Sequence, residues 1–492
     1  MPAALWLIAL PMGAVPLVYL LRRLPVGAVL AAFVAFCAAW LAIKLPTGVV
    51  LNLLGRTIEL GRLSQITLSL LFITTAILFL IPPLPPPFTG GGTTEVNRLS
   101  RRQALYERIR VRKGQAFYPV GLAILGFFVA ASLSRHLGIA AIFIEGAAIL
   151  TVFVIQGQQL TSTRAALRFL VLMSLATPLF LLAAWQIDFY QLRGGAVAAT
   201  GLEQTAILVA IGFALWLAIA PFHAWLTTTA AEAAPSTAAF VLIVFPVVAF
   251  STLLNLLVDF PWLVASEQLV NAIILAGVFT ALVGGALAGA QRGFSELMGY
   301  GALYDLGCTL AMLGLGSSAS VVIILMGLII RALALTLVAA SASAIRLRVA
   351  SDGYAQVLGM ARHMPVATFG LIAGGLTLAG VPFTASFGLR WELIQALADV
   401  DARWSTLIAL AGLGVALGYL RGFRAMLWPR QTARIQNDRA WWLGSILKLQ
   451  EPPSLLIIIA GLSLATIGLG VFPAWLIGPL QTLAAGISIP IR

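Results

Sequence analysis

Long apolar segments of helical length recur along the whole chain, and short polar connections separate them. A membrane-spanning helix needs about 20 predominantly apolar residues, and about fourteen segments of the chain meet this requirement. They comprise residues 3–21, 26–43, 64–82, 117–134, 138–156, 165–186, 204–222, 237–257, 269–290, 297–315, 318–340, 365–387, 404–427 and 454–477. The pattern therefore predicts an all-α polytopic membrane protein with about 14 transmembrane helices.

Residues that end helices interrupt the seventh and the twelfth of these segments. Pro221 lies in A-I-A-P-F-H, and Gly380 and Pro382 lie in L-A-G-V-P-F-T. A helix broken at membrane depth leaves backbone groups unpaired, which is tolerated only inside the protein or beside a wet cavity. Transporters place such breaks at their substrate and ion sites. Because the breaks lie five helices apart, the pattern also predicts two five-helix repeats of inverted topology.

Loop composition and the two repeats predict a division of the chain into four parts. A proline- and glycine-rich linker from Pro82 to Gly92 is followed by a basic segment, which separates three leading helices from the rest. The predicted parts are residues 1–116 (three N-terminal helices and a basic cytoplasmic loop), residues 117–257 (the first repeat), residues 269–427 (the second repeat) and residues 428–492 (a basic loop and a C-terminal transmembrane helix).

The composition excludes a soluble protein, since 61% of the residues are hydrophobic and only 10% are charged. With both termini outside, the inner loops carry about three times as many Lys and Arg residues as the outer loops. This bias predicts a bacterial inner-membrane protein with both termini on the periplasmic side. It also explains the net charge of +13 without nucleic acid as a partner. The basic loops are suited to contacts with anionic membrane lipid.

No motif for redox or metal chemistry is present in the sequence. Cys37 and Cys308 lie inside apolar segments and are interpreted as small apolar residues rather than a disulfide or a metal pair. The sequence contains no phosphate-binding loop, no CxxC pair and no histidine cluster with zinc or haem spacing. We therefore expect the chain itself to bind no cofactor.

Ionisable residues within or beside the apolar segments are the candidate functional residues. Glu145 lies in mid-segment, His223 follows the first break, Asp305 has apolar neighbours, Arg331 is in mid-helix, and Arg390 follows the second break. A charge in the bilayer centre costs about 2.5 to 3.5 kcal/mol on insertion scales, so such residues mark ion pathways or buried pairs. The five positions are compatible with one polar proton pathway across the bundle. The alternative for each is a structural contact between helices.

Three motifs make the chain resemble the antiporter-like membrane subunits of complex I (NADH:quinone oxidoreductase) and the related Mrp-type cation/proton antiporters. The family motif A-x-x-P-F-H-x-W-L-P-D-x-x-E-G-A-P is matched, with one residue inserted and Pro-Asp replaced, by Ala218 to Pro235. The motif L-A-G-x-P-x-x-x-G-F-x-x-K is matched by Leu378 to Arg390, and L-x-G-M-x-R-x-M-P has a counterpart ending at Pro365. The resemblance covers roughly residues 118–427.

This resemblance implies a role for four of the candidate residues. Glu145 takes the position of the fifth-helix glutamate, which belongs to the proton-loading pair of the family. Arg390 takes the position of the twelfth-helix lysine, and Asp305 stands where a tenth-helix histidine is usual. Arg331 falls near an eleventh-helix polar residue of the central axis.

Two lysines of the family pattern are absent from this chain. The seventh-helix lysine, which pairs with the glutamate, corresponds to Trp216, and the eighth-helix lysine position lies near Pro246. Tryptophan and proline cannot titrate, and the arginines hold charge without releasing a proton. Two mechanisms are compatible with these departures. In one, waters bridge the lost lysines and protons still move; in the other, the half-channels no longer connect and the subunit is a scaffold.

As a whole, the resemblance implies an antiporter-like, non-redox membrane subunit of a complex I-type NADH (or ferredoxin):quinone oxidoreductase. Such a subunit takes part in proton translocation coupled to quinone reduction, here with pumping impaired or altered. Other membrane subunits are the implied partners, so the chain is not expected to act as a monomer. The alternatives are an Mrp-like cation/proton antiporter subunit and the membrane subunit of a hydrogenase or a proton-driven carbon-concentrating complex.

Overall fold

The computed structural model describes residues 3–48, 50–53, 56–81, 116–156, 163–192, 199–264, 267–316, 320–349, 352–428 and 452–484. Within these ranges the chain forms 17 α-helices, one β-hairpin and three short 3-10 helices. The α-helices are α1 (Trp6–Leu21), α2 (Pro25–Lys44), α3 (Arg62–Leu80), α4 (Phe117–Leu133), α5 (Leu137–Gln156), α6 (Arg164–Leu192), α7 (Ala199–Trp216), α8 (Ala224–Glu232), α9 (Pro235–Asp259), α10 (Glu267–Ala290), α11 (Phe294–Leu315), α12 (Ser320–Val349), α13 (Pro365–Ala379), α14 (Phe387–Val400), α15 (Ala402–Leu427), α16 (Pro453–Val471) and α17 (Ala474–Ala484).

The predicted membrane architecture is confirmed, because each of the apolar segments contains a helix. Among the described residues, nine helices are long and apolar enough to cross a membrane, and four shorter helices are also apolar. Large apolar side chains such as Phe33, Phe36 and Trp40 of α2 are exposed on the outside of the bundle. A soluble protein would bury such side chains, whereas a bilayer or a neighbouring membrane subunit solvates them.

A β-hairpin between α2 and α3 was not predicted. Strand β1 (Val50–Leu53) pairs antiparallel with β2 (Arg56–Glu59), with Val50 opposite Glu59. Each strand is only four residues long, so the apolar periodicity of the sequence does not reveal it. The hairpin brings Glu59 to the mouth of the bundle, where Arg135 of the α4–α5 connection binds it.

Both predicted helix breaks are confirmed. The seventh segment ends as a helix at Trp216 and resumes as α8, and the twelfth ends at Ala379 and resumes as α14. Each break contains a residue other than glycine in the left-handed region, with φ of 53° at Ala218 and 68° at Phe383. Such backbone is held only where the surrounding structure enforces it, and it concentrates at functional sites. The inverted symmetry of the two repeats stays a prediction.

The centre of the bundle is formed by α9, α11 and α12. Helix α9 is buried along almost its whole length, from Pro235 to Leu257, and α11 is buried from Phe294 to Gly314 with few exceptions. Helices α10 and α15 pack beside α11, and α3 packs against both α9 and α12. The charged candidates Asp305 and Arg331 therefore lie on the innermost helices, far from the outer apolar surface.

Candidate functional site

Three of the predicted residues form one buried ion cluster in the second half of the chain. Asp305 of α11 accepts a hydrogen bond from Nη1 of Arg331 on α12 at 2.8 Å. Its other carboxylate oxygen accepts a hydrogen bond from Nη2 of Arg390 on α14. The exposed fractions are 5% for Asp305, 1% for Arg331 and 6% for Arg390, so the cluster is withdrawn from the surface. Removing charges from water to this extent requires compensating partners.

The cluster carries one net positive charge, because two guanidinium groups share one carboxylate. Arginine stays protonated in proteins, so this charge is fixed. The guanidinium carbon of Arg390 also lies 5.3 Å from the ring centre of Tyr304, a cation–π contact that stabilises a desolvated cation. Nε of Arg390 has no acceptor among the described residues. The arrangement therefore places a permanent positive charge in the interior of the helix bundle.

Pro246 on α9 explains how Arg331 reaches its place. Proline has no backbone N–H, so the carbonyl of Leu242, four residues earlier, loses its helical partner. Arg331 donates to this carbonyl from Nη2 at 3.1 Å and from Nε at 3.4 Å. Its Nη1 also donates to the carbonyl of Ala302 at 2.7 Å. A guanidinium thus occupies the region near Pro246 where the family pattern has a lysine, although it comes from a different helix.

The second helix break positions Arg390. Gly380 ends α13 with φ of 79°, a conformation that glycine adopts without strain. A Cβ atom there would overlap Cγ of Arg390, so the glycine also makes room for the arginine side chain. The hydroxyl of Ser386 donates to the carbonyl of Thr377, and the backbone N–H of Arg390 donates to the carbonyl of Ser386 at 3.0 Å. Polar groups of the break itself therefore form hydrogen bonds that hold its two ends together.

Glu145 lies apart from the cluster, on α5 in the first half of the chain. Its two carboxylate oxygens accept hydrogen bonds from Ser174 at 2.5 Å and from Thr177 at 2.9 Å, both on α6. The carboxylate is only half-buried. The hydrogen bonds of the Glu145 carboxylate therefore come from hydroxyl groups of α6 rather than from a cation, and no salt bridge to Glu145 occurs within the described ranges.

An aromatic cluster occupies the position of the family's seventh-helix lysine. Trp216 is 2% exposed, and its ring centre lies 4.1 Å from that of Phe180 and 5.7 Å from that of Phe213. Phe180 follows Thr177, which binds Glu145, by about one helical turn, so the two side chains lie on the same face of α6. We call Trp216, Phe180 and Phe213 the aromatic plug. It is apolar where the family pattern requires a titratable amine.

His223 lies in the first break, directly before α8, and is half-buried. Its Nδ1 is buried and has no hydrogen-bond partner among the described residues. The carbonyl of Leu215, near the end of α7, accepts hydrogen bonds from Nε1 of Trp225 at 3.0 Å and from the backbone N–H of Ala218 at 3.3 Å. The predicted proton pathway is thus divided. Asp305, Arg331 and Arg390 contact one another, whereas Glu145 and His223 make their contacts elsewhere.

Sequence reasoning missed the polar partners of these residues. Ser174 and Thr177 stand three residues apart on one face of α6, a spacing that can present two hydroxyls to one neighbouring carboxylate. The free carbonyl of Leu242 could have been predicted from Pro246 alone, since every proline inside a helix leaves the carbonyl four residues before it without its helical hydrogen bond. In the part of the chain that the structure describes, no three His, Cys, Asp or Glu side chains converge as metal ligands.

Comparison with known proteins places this arrangement among membrane transport subunits. Residues 134–417 match the family described as NADH:quinone oxidoreductase/Mrp antiporter, TM. The NAD(P)H-quinone oxidoreductase subunit 2 of Nostoc punctiforme is 26% identical over 417 residues, covering 76% of this chain and 77% of the relative. The NADH-quinone oxidoreductase subunit N of Rhodospirillum rubrum is 26% identical over 307 residues, covering 59% of this chain and 62% of the relative.

Solved structures share the fold at lower identity. A chain of the Mrp complex from a Dietzia species superimposes with a TM-score of 0.77 at 15% identity, covering 100% of this chain and 98% of that one. A chain of respiratory complex I from Thermus thermophilus superimposes with a TM-score of 0.73 at 17% identity, covering 99% and 100% of the two chains. These likenesses confirm the predicted fold class.

Proposed function

The chain belongs to the NADH:quinone oxidoreductase/Mrp antiporter membrane family, and from this premise we propose that it is an antiporter-like subunit of a complex I-type assembly. In this role it takes part in proton translocation coupled to quinone reduction. The buried Asp305–Arg331–Arg390 cluster at the second helix break carries the proposal, because a bilayer core tolerates such charges chiefly along ion pathways. The names of the two curated relatives favour the quinone-linked assembly over an Mrp-like antiporter.

We place the chain in the bacterial inner membrane with both termini on the periplasmic side. The excess of Lys and Arg in the loops assigned to the cytoplasm supports this orientation. Other membrane subunits are the proposed partners, and the exposed apolar side chains of the bundle offer them a surface. Glu59, Arg135 and Asp259 then face the periplasm.

The proposed mechanism separates the two halves of the chain. The aromatic plug around Trp216 offers no group that accepts or releases a proton beside Glu145, so a proton does not pass from Glu145 to the second half. The fixed charge of Arg331 and Arg390 instead sets the electrostatic potential at the centre of the membrane. Such a charge acts on titratable groups of neighbouring subunits because a low-dielectric interior screens it weakly. Any proton route through Glu145 is then confined to the first half of the chain, whereas His223 and Asp305 stay proton-pathway candidates.

Isolation of the host assembly tests the proposed function. An affinity tag on this chain should bring down other membrane subunits together with a quinone-reducing module, and the complex should acidify one side of vesicles when quinone is reduced. Recovery of the chain only as a homomer that exchanges cations for protons would instead establish the Mrp-like alternative. Recovery with a hydrogenase or a carbon-concentrating module would contradict the quinone-linked proposal in the same experiment.

Glu145→Gln tests the separation of the halves. Glutamine keeps an acceptor for Ser174 or Thr177 and removes the titratable group, so we expect a stability loss of only about 1 kcal/mol. The number of protons translocated per electron pair should stay at the wild-type value, because the aromatic plug already interrupts this route. Glu203→Gln, which removes an exposed carboxylate near the start of α7, is the matched control. A lower proton yield in Glu145→Gln alone, with normal assembly, would show that protons do cross the plug.

A further inference from the structure

We propose that the seam between α3, α4 and α9 is a water-filled vestibule that admits water and protons from the end of the bundle carrying the β-hairpin. It reaches down to a buried hydroxyl pair, Thr67 and Ser251. The proposal deepens the proposed function, because it supplies one side of a proton route that does not use the helix breaks. The side of the membrane to which the vestibule opens depends on the proposed orientation of the chain, whereas the presence of water in it does not.

The mouth of the vestibule is charged. Arg135 donates to Asp259 at 2.7 Å and to Glu59 at 2.9 Å, so one guanidinium bridges the end of α9 and the β-hairpin. Although partial burial lowers the pKa of the Arg135 guanidinium, the Asp259 and Glu59 carboxylates raise that pKa above its ordinary value. The side chains of Arg135, Glu59 and Asp259 are 39%, 20% and 29% exposed, so the bridge stands at the boundary with solvent.

A cavity lies directly below this bridge. Its volume is about 30 Å³, more than the roughly 10 to 15 Å³ that a cavity needs to hold one water molecule. A cavity holds water when it offers two to four polar partners. This one is lined by the side chains of Ser64, Asn255 and Thr252 as well as by the charged residues of the mouth. Size and polarity therefore both suit bound water.

The polar lining continues inward from the cavity. Asn255 donates to the hydroxyl of Ser64 at 3.4 Å, and Ser64 donates to the carbonyl of Ser132 on α4 at 2.9 Å. One turn deeper, the hydroxyls of Thr67 and Ser251 lie 3.0 Å apart. Asp259, Asn255 and Ser251 follow one another at four-residue intervals on a single face of α9. Eight residues of helix extend about 12 Å, which sets the depth of the vestibule.

A buried hydroxyl further along α3 also lacks a protein partner. Thr75 is 0% exposed, and its Oγ1 makes no hydrogen bond within the part of the chain that the structure describes. Buried polar groups are paired with protein or with ordered water in the great majority of cases, so this hydroxyl indicates a water molecule. Thr75 follows Thr67 by eight residues, about 12 Å along the helix. Because α3 packs against α12, the row of hydroxyls runs toward the helix of Arg331.

The competing explanation is that these hydroxyls only hold helices together. Serine and threonine do link transmembrane helices by hydrogen bonds, with modest energies of about 0.6 kcal/mol on average. Such dry contacts account for the Thr67–Ser251 pair. They do not account for the cavity or for the charged bridge beside it. Access of water distinguishes the two explanations.

Reactivity of single cysteines tests the vestibule in the assembled host complex. In a chain with Cys37→Ala and Cys308→Ala, Asn255→Cys and Ser251→Cys are treated with a small, charged, membrane-impermeant methanethiosulfonate. The cysteine thiolate, which forms only in a hydrated environment, attacks the sulfenyl sulfur of this reagent, forms a mixed disulfide and releases methanesulfinate. The control is Thr466→Cys on α16. Thr466 is buried, and its hydroxyl donates a hydrogen bond to the carbonyl of Leu462. It lies five residues from the end of α16, whereas Ser251 lies eight residues from the end of α9.

We expect both vestibule cysteines to react from the periplasmic face about tenfold faster than Thr466→Cys, which lies closer to the end of its helix than Ser251 does, because the vestibule thiolates are hydrated. Rates equal to that of the control would overturn the vestibule and leave a dry seam. Reaction from the cytoplasmic face alone would support the hydrated seam but overturn the proposed orientation. The two failures are therefore distinguishable.

A second measurement uses the unsubstituted protein and so does not depend on the folding of variants. Hydroxyl radicals generated by an X-ray pulse oxidise side chains that adjoin bound water. Leu256 lines the cavity, whereas Leu253 on the same helix does not, and the two are 6% and 8% exposed. Leu256 should be oxidised faster than Leu253. Equal oxidation of the two leucines would contradict the vestibule.

Discussion

Replacing Asp305 with alanine should prevent the folded chain from accumulating in the membrane, because the substitution leaves two buried guanidinium groups without their carboxylate. Removing one partner of a buried ion pair costs about 3 to 5 kcal/mol, and Asp305 is the partner of both Arg331 and Arg390. A typical folded protein is stable by only about 5 to 15 kcal/mol. The amount of chain in the membrane fraction and the thermal midpoint of the purified assembly measure the effect.

A matched control separates this effect from the loss of any aspartate. Asp401 accepts one hydrogen bond from the backbone N–H of Arg403 at the start of α15, so Asp401→Ala should cost about 1 kcal/mol. The triple variant Asp305→Ala, Arg331→Met, Arg390→Met should recover much of the stability, since no unpaired charge is left in the core. If Asp305→Ala and Asp401→Ala lower the thermal midpoint equally, the three charges do not act as a unit.

The helices could be predicted from the sequence because the bilayer imposes their length. A run of about 20 apolar residues has few alternatives to a membrane helix, and Pro221 and Gly380 stop helices by local backbone chemistry. The β-hairpin could not be predicted, since four-residue strands leave no periodic signal. Inverted repeat symmetry is a relation between whole halves of the chain, and the spacing of the breaks supports it only indirectly.

The candidate site could be predicted only as a set of residues. Burial of Asp305, Arg331 and Arg390 followed from their apolar neighbours in the sequence, whereas the contacts between them depend on how α11, α12 and α14 are rotated against one another. Hydropathy does not report such rotation. The same reasoning placed Glu145 and His223 on a common track with the cluster, because charge in an apolar segment signals function without indicating the partner.

Close packing of α10 against α15 helps to hold the Asp305–Arg331–Arg390 cluster in place. Gly285 of α10 contacts the backbone of Ala411 and Gly414 on α15 so closely that a Cβ atom at position 285 would overlap the carbonyl of Ala411. At the next residue of α15, a Cβ atom at Gly412 would lie 2.7 Å from the hydroxyl of Tyr304. Since the ring of Tyr304 contacts Arg390, a displaced α15 disturbs the cluster.

Gly285→Ala is therefore expected to lower the thermal midpoint of the assembly and its quinone-linked proton transport together. The added methyl group meets backbone atoms that cannot rotate away, and overpacking of this kind costs about 1 to 3 kcal/mol. Gly289→Ala, one turn further along α10, is the matched control, because its Cβ atom would lie 3.4 Å from the carbonyl oxygen of Gly414, an ordinary contact. Alanine stabilises a helix by up to about 1 kcal/mol relative to glycine, so this variant should be neutral or slightly more stable. Equal midpoints for the two variants would show that α10 and α15 can separate without cost, and the cluster would then depend on α11, α12 and α14 alone.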